Sequence, residues 1–182
     1  ALHAAKWFYT EGYLVTSDTA RVAAIEARKA AEHGGVRTAL SLSDPNMVRF
    51  FKDGLKEMIG DGVDLIFANE EEAMGMAESD NLNDAVAYLK TLSKEFAITR
   101  GPQGALVWDG KGLIEIDPVK VDPVDTVGAG DMFAGAFLYG LTQGWDHKRA
   151  GELASATSAK IVTSLGPRLP QSETQAILQR FA

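Results

Sequence analysis

The run Asp125-Thr126-Val127-Gly128-Ala129-Gly130-Asp131 sets a carboxylate on either side of a small-residue turn and then enters a long apolar segment. Gly128, Ala129 and Gly130 have almost no side chain, so the backbone can curl tightly and turn its N–H groups toward a ligand. Residues 132–141 are apolar on nearly every face, which predicts a buried helix. The unpaired N–H groups of its first turn, at the positive end of the helix dipole, would face a phosphate. Asp131 falls in that first turn, where the dipole complements a carboxylate able to accept a proton. A base beside an anion hole suits phosphoryl transfer to a hydroxyl: the carboxylate takes the hydroxyl proton while backbone donors stabilise the moving phosphoryl group. Asp is also common in helix first turns for electrostatic reasons alone, and Gly-Ala-Gly also serves as an ordinary tight turn. No Gly-Lys-Ser/Thr follows the glycines, so the run is not a P-loop.

The elements that must position this run alternate between strand-like and helix-like segments, the pattern of a βαβ protein with a mostly parallel sheet flanked by helices. Residues 8–15 read as a strand, and a Ser17/Asp18 cap opens a helix to about Glu32, ended by His33-Gly34-Gly35. A strand over 36–43 precedes a helix from Pro45 to about Ile59. Residues 63–68 form a short, continuous apolar strand of the kind covered on both faces. Helical segments at 71–77 and 82–94 lead to a strand at 96–99. Strands at 105–108 and 113–116, joined by Asp109-Gly110-Lys111-Gly112, form a short antiparallel hairpin. Two closing helices are expected at about 128–142 and 147–163. Ligands in such sheets sit beyond the carboxyl ends of the strands.

Composition fits one α/β domain spanning 1–182. With 182 residues, 46% hydrophobic and 24% charged, the chain can bury a sizeable core without disulfides. A formal charge of -7 and a pI near 5.0 exclude a basic nucleic-acid-binding surface. With no cysteine there is no disulfide framework and no Cys-ligated zinc. No apolar run reaches membrane-spanning length and no signal-peptide layout opens the chain, so the cytoplasm is the expected compartment. His3, His33 and His147 lack the spacing of a metal site. Trp7, Trp108 and Trp145 read as packing residues, and Lys90, Lys94 and Lys148-Arg149 as solvated helix faces.

Three further segments follow strands or close the chain. Asn69-Glu70-Glu71-Glu72 would start a helix at the carboxyl edge of the sheet, which by itself is a dipole-complementing helix start. Thr99-Arg100-Gly101-Pro102-Gln103-Gly104 contains a Gly-x-x-Gly turn of the kind that often only connects strands. Residues 150–167 read as an Ala-rich helix with a Gly-Pro stop.

Taken together, these motifs resemble the ribokinase/PfkB family of carbohydrate and nucleoside kinases. Residues 125–131 are similar to its Asp-Thr-x-Gly-Ala-Gly-Asp signature, Asn69-x-x-Glu72 to its Asn-x-x-Glu motif, and Thr99-x-Gly101-x-x-Gly104 to its nucleotide-contact loop. The resemblance implies a ribokinase-like fold and ATP-dependent transfer of a phosphoryl group to a hydroxyl. It makes Asp131 the catalytic base and Gly128, Ala129 and Gly130 the anion hole. ATP contacts are implied at Asn69, Thr99, Gly101, Gly104, Asp125 and Thr126. Glu72 is implied to position Mg2+ and its waters, with Glu71 the rival if the register differs by one. Mg2+ keeps several waters and needs few carboxylates, so one Glu acting through water is chemically sound. Relatives place adenine-facing side chains on the last long helix, frequently an Asn where Ser155 falls. Asp125, Val127 and the carbonyls of 162–168 match a site where many members hold a monovalent cation, implying K+.

The resemblance covers the C-terminal half, or slightly more, of a complete member. Residue 1 falls just before a mid-domain strand, so the N-terminal part of the fold, with most acceptor-binding residues, is expected to lie outside this chain. The acceptor that the resemblance implies is a small sugar or nucleoside. The Glu11-Gly12-Tyr13-Leu14 and Ser43-Asp44-Pro45 stretches look most like bacterial adenosine-kinase-like members, with ribokinase and fructokinase types close behind. The other reading is a catalytically incompetent nucleotide-binding or interaction module, whose open sheet edge would favour homo-oligomers.

Overall fold

A computed structural model describes residues 2–181, so Ala1 and Ala182, the ends of the expected domain, lie outside the described residues, as does the side chain of His3. Six strands form one sheet in chain order, and helices flank it, giving the expected mixed α/β class. By packing, the chain divides into two compact units, residues 1–98 with 108–110 and residues 99–107 with 111–182.

The first unit holds β1 (Trp7–Glu11), β2 (Arg37–Ser41), β3 (Val63–Asn69) and most of β4 (Ser93–Thr99), with α1 (Asp18–His33), α2 (Pro45–Ile59), α3 (Glu70–Ala77) and α4 (Leu82–Leu92). β1 pairs with β2 and β2 with β3 in parallel, with Thr10 opposite Leu40 and Leu40 opposite Ile66. Leu65, Ile66, Phe67 and Ala68 are all buried, as a strand covered on both faces requires. Leu40, Leu42, Leu55, Ile59, Leu89 and Phe96 complete this core. Helix starts follow the capping rules. The side chain of Ser17 accepts from the N–H of Ala20 at 3.3 Å, and Asp44 accepts from the N–H of Asn46 at 2.7 Å with Pro45 in the first turn.

The second unit holds most of β5 (Ala105–Trp108), β6 (Leu113–Ile116), α5 (Ala129–Thr142), α6 (His147–Ile161) and α7 (Gln171–Gln179). β5 and β6 are sheet neighbours joined by four residues, too few for a parallel crossover, so they form the expected antiparallel hairpin. Phe133, Phe137, Leu153, Ala154 and Ile161 form the core between α5 and α6.

Several boundaries differ from the sequence reading. The strand expected over 8–15 stops at Glu11 and becomes a 3-10 turn, Gly12–Thr16. Gly12 gives its N–H to Ser43 Oγ at 2.8 Å instead of a ladder carbonyl, and of the apolar trio that follows only Val15 is buried. The strand expected over 36–43 runs only from Arg37 to Ser41, because the chain turns at Ser43, whose φ is 71°. α4 stops at Leu92 rather than Lys94. Ser93 is extended and its hydroxyl donates to Leu89 O, so β4 begins three residues earlier than its apolar core suggests. The early strand residues Lys94 and Glu95 are held by Asp64 and Arg37.

α5 is buried along one side only, through Phe133, Ala134, Phe137 and Gly140, while Asp131, Gly135 and Tyr139 are exposed. The expectation of a helix buried all round is therefore corrected: composition gave its apolarity but not which side is covered. The two expected closing helices are three. α7 follows Pro170, buries Ile177, and was hidden by its polar first turn. No helix among the described residues is long and apolar enough to cross a membrane.

Candidate functional site

In the first unit, Asn69 ends β3 and caps α3. Its Oδ1 accepts the N–H of Glu72 at 2.8 Å, and Glu72 Oε2 accepts the N–H of Asn69 at 2.9 Å, a closed capping box. Asn69 Nδ2 also donates to Glu72 Oε1 at 2.7 Å. The Asn-x-x-Glu spacing is thus what lets the two side chains lock each other. Glu72 is buried, while its rival Glu71 is exposed on the first turn, so only Glu72 is fixed by its surroundings.

Burial pushes the Glu72 carboxyl up to about 7, against the hydrogen bond from Asn69; the carboxylates of Asp44, Glu71 and Glu11 raise it further. A cation would offset this crowding of negative charge. Each Glu72 oxygen accepts one bond and retains a further lone-pair site. Among the described residues no group of three or more His, Cys, Asp or Glu forms a direct metal cage. These donors fit a hydrated Mg2+ held partly through water, and do not fit a metal stripped of its waters.

The raised carboxyl has a consequence for stability. Below the reference value of 4.5, Glu72 is protonated in both folded and unfolded chains. Between 4.5 and about 7 the unfolded chain releases the proton first, so stability falls across this window as pH rises. The full loss is about 3 kcal/mol. Glu72→Gln, which suits the N3 position of a capping box, should remove this slope. In denaturant titrations wild-type stability should fall between pH 4.5 and 8 while that of the variant stays level, with a constant offset because the Gln amide nitrogen cannot accept from Asn69 Nδ2. Parallel curves for the two proteins would contradict the assignment.

In the second unit, Thr99 ends β4 and Gly101–Gln103 form a tight 3-10 turn with Gly104 as its C-cap. The N–H of Arg100 donates to Gly104 O at 2.8 Å, the N–H of Gly104 to Gly101 O at 3.1 Å, and Arg100 Nη2 to Gln103 Oε1 at 2.8 Å. The N–H of Gly101 has no acceptor among the described residues, and open space lies beside its Cα.

The 125–131 run is held at its entrance. Asp125 Oδ1 accepts the N–H of Val127 at 3.0 Å and Oδ2 that of Gly166 at 3.0 Å; these two bonds hold its carboxyl below the usual range. Val162 O accepts from both Val124 and Asp125, at 2.7 and 3.2 Å. Asp125 and Val162 thus tie two loops together, and each Asp125 oxygen, accepting one bond, retains a further lone-pair site.

Gly128 then caps α5 with φ 79°, and a Cβ there would lie 2.7 Å from that of Pro167. This position needs glycine for both backbone angle and space. The N–H of Ala129 turns inward to Thr126 O at 3.2 Å, so this predicted anion-hole residue does not offer its donor outward. The N–H groups of Gly128, Gly130 and Asp131 have no acceptor among the described residues, and the Asp131 side chain is exposed on the first turn. Three donors and a carboxylate at a helix start can receive an anion and take a proton.

Ser155 lies on α6, and its hydroxyl donates to Asp117 O at 3.0 Å, fixing the segment after β6. The sequence reading missed Ser158, whose hydroxyl donates to Ala129 O at 3.0 Å. Nothing in the motif spacing signals it, because the contact depends on how α6 packs on α5. Asn69 and Glu72 are brought together in one unit, and the other expected site residues lie in the other.

Known proteins resemble this chain in sequence and fold. Adenosine kinase from Dictyostelium discoideum is 28% identical over 94% of this chain and 54% of its own length. The chain spans about half the length of the curated relatives it matches. The crystal structure of adenosine kinase from Sinorhizobium meliloti superposes with a TM-score of 0.92 at 31% identity, covering 98% of this chain and 55% of that one. An E. coli protein assigned as Ribokinase II, solved in complex with ATP and Mg2+, gives a TM-score of 0.84 at 25% identity, covering 96% of this chain and 59% of that one. The family model for pfkB family carbohydrate kinases matches residues 1–175. With its signature turn, capping-box Asn-x-x-Glu and Gly-turn in the expected order, the chain belongs to the pfkB family of carbohydrate kinases.

Proposed function

We propose that residues 1–182 act as one domain, the nucleotide-binding and catalytic portion of a cytoplasmic, ATP-dependent kinase that phosphorylates a hydroxyl of a sugar or nucleoside. An adenosine-kinase-like acceptor is the favoured class. The observation that carries the reading is the start of α5: a positive-φ Gly128, unbonded N–H groups at 128, 130 and 131, and the exposed Asp131 carboxylate in the same turn.

In the reaction, the acceptor O–H gives its proton to Asp131 as its oxygen attacks the γ-phosphorus. The bond from that phosphorus to the β-bridging oxygen breaks, and ADP leaves with the electron pair. The N–H groups of Gly128, Gly130 and Asp131 stabilise the equatorial oxygens of the moving group. Gly101 and Thr99 approach the nucleotide phosphates, while Ala129 shapes the turn and Thr126 and Asp125 brace it. Ser155 holds the segment beside the adenine. Glu72, oriented by Asn69, would hold a hydrated Mg2+ through water. Mg2+ itself, when bound, neutralises charge on the β- and γ-phosphates.

The test measures phosphoryl transfer from Mg-ATP to adenosine, ribose and fructose, using this chain and one extended at its N-terminus. Phosphorylated acceptor formed by the extended protein supports the kinase. A second reading, a nucleotide-binding module without turnover, is favoured for residues 1–182 alone by their covering 54% of the Dictyostelium relative. It predicts ATP binding without transfer by the shorter chain. It also predicts self-association through β1, which stands at one end of the strand order. No transfer by either chain to any acceptor would overturn the kinase reading.

A further inference from the structure

We propose that Ser158 is a positioning residue: by donating its hydroxyl to Ala129 O, it holds the helix start that carries Asp131 in place. The role of Asp131 rests on the function proposed above; the contact itself does not.

α5 and α6 lie against each other with two fixed points. At one end the backbones approach closely, since a Cβ on Gly140 would lie 2.8 Å from the Cβ of Ala150 and 3.0 Å from its Cα. At the other end Ser158 Oγ reaches Ala129 O at 3.0 Å. Pairing 140 with 150 and 129 with 158 makes the helices antiparallel, so the Ser158 contact sets the register at the functional end.

A serine inside a helix has a carbonyl of its own helix within reach. The neighbouring Thr157 takes that option, donating to Leu153 O and Ala154 O at 3.0 Å each. Ser158 instead spends its hydroxyl on the first residue of another helix, two positions before Asp131. The braces at Asp125 and Val162 hold only the entrance of the turn. Across 128–131, the one side-chain hydrogen bond onto the backbone among the described residues comes from Ser158. Without it, Ala129 could shift along α6 while the entrance stays fixed, and a small displacement of a general base lowers turnover more than binding.

The experiment compares Ser158→Ala, Ser158→Thr and the control Thr157→Val. In the N-terminally extended protein, Ser158→Ala should lower kcat about tenfold with KM for ATP within about twofold. Ser158→Thr, which keeps the hydroxyl, should restore kcat. Thr157→Val should keep wild-type kcat, whatever it does to melting temperature. Independently of turnover, hydrogen exchange in residues 1–182 should quicken in Ser158→Ala at the amides of Ala129 and Met132, which bond to Thr126 O and Gly128 O. If Ser158→Ala does not fold, Ser158→Cys, of similar shape and weaker donor strength, is measured instead and should show the same changes. Exchange readings stand even if no acceptor is phosphorylated, so the two proposals fail separately. Wild-type exchange at Ala129 and Met132 in a folded variant overturns this one, as does a kcat loss that Ser158→Thr fails to restore.

Discussion

Asp131→Asn is expected to lower turnover about a thousandfold in the N-terminally extended protein if it has the proposed kinase activity, while the dissociation constant for Mg-ATP changes little. The substitution keeps the size and polarity of the side chain and removes only its capacity to take a proton. General-base catalysis contributes about 10²- to 10⁴-fold, and a loss confined to the transition state appears in kcat rather than in binding. Because Asp131 is exposed at the start of α5 and no hydrogen bond to its side chain is seen among the described residues, the exchange should not disturb folding. Steady-state kinetics with a parallel calorimetric titration separate the two effects. Equal losses of kcat and ATP affinity would instead mean that Asp131 serves to hold the nucleotide.

Gly104→Ala should cause the largest loss of stability from a single methyl group. Gly104 has φ 85°, and a Cβ there would stand 2.0 Å from Ile116 O, 3.0 Å from Pro118 N and 3.1 Å from Asp117 C. All three neighbours are backbone, so none can swing aside as a side chain would. Strain at positive φ costs about 1 to 3 kcal/mol and forced overpacking about 1 to 3 more. The sum, about 4 kcal/mol, corresponds to roughly a 10 °C fall in melting temperature for a chain of this length. Gly101→Ala is the matched control: its φ is also positive, at 52°, but nothing lies within 4 Å of the added methyl. It should cost about 1 kcal/mol. Melting curves for the two variants should therefore separate clearly, and coincident curves would refute the steric account.

The contrast between these two glycines shows what the sequence carries and what it does not. Both read as turn residues, and both are. That one is hemmed in by the backbone after β6 and the other stands open follows from the hairpin's return path, which no local pattern encodes. The same holds along the chain. The helix starts at Ser17, Pro45 and the Asn69–Glu72 run were legible because each has a local signature: a capping side chain, a first-turn proline, and acidic residues in the first turn. The strand at Val63–Asn69 was legible because full burial writes a continuous apolar run. The early ends of β1 and β2 were not, since both depend on Ser43, where a side chain from the end of one strand takes the N–H that follows the other. α7 was missed because it buries little besides Ile177.

At the candidate site, motif spacing singled out the expected residues, while packing decides what each is free to do. Gly128, Ala129 and Gly130 look equivalent as small residues. The N–H of Ala129 is nevertheless spent on Thr126 O, and those of its neighbours are not. Ser158 lies outside every motif and acquires its contact only when α6 is laid on α5.

The central claim is that the start of α5 receives the phosphates of a nucleotide, and amide NMR tests it without requiring turnover. In 15N-labelled residues 1–182 titrated with Mg-ATP, the account predicts saturable shifts at Gly128, Gly130 and Asp131, joined by Gly101. Saturable binding that leaves those amides unmoved and shifts others would contradict it.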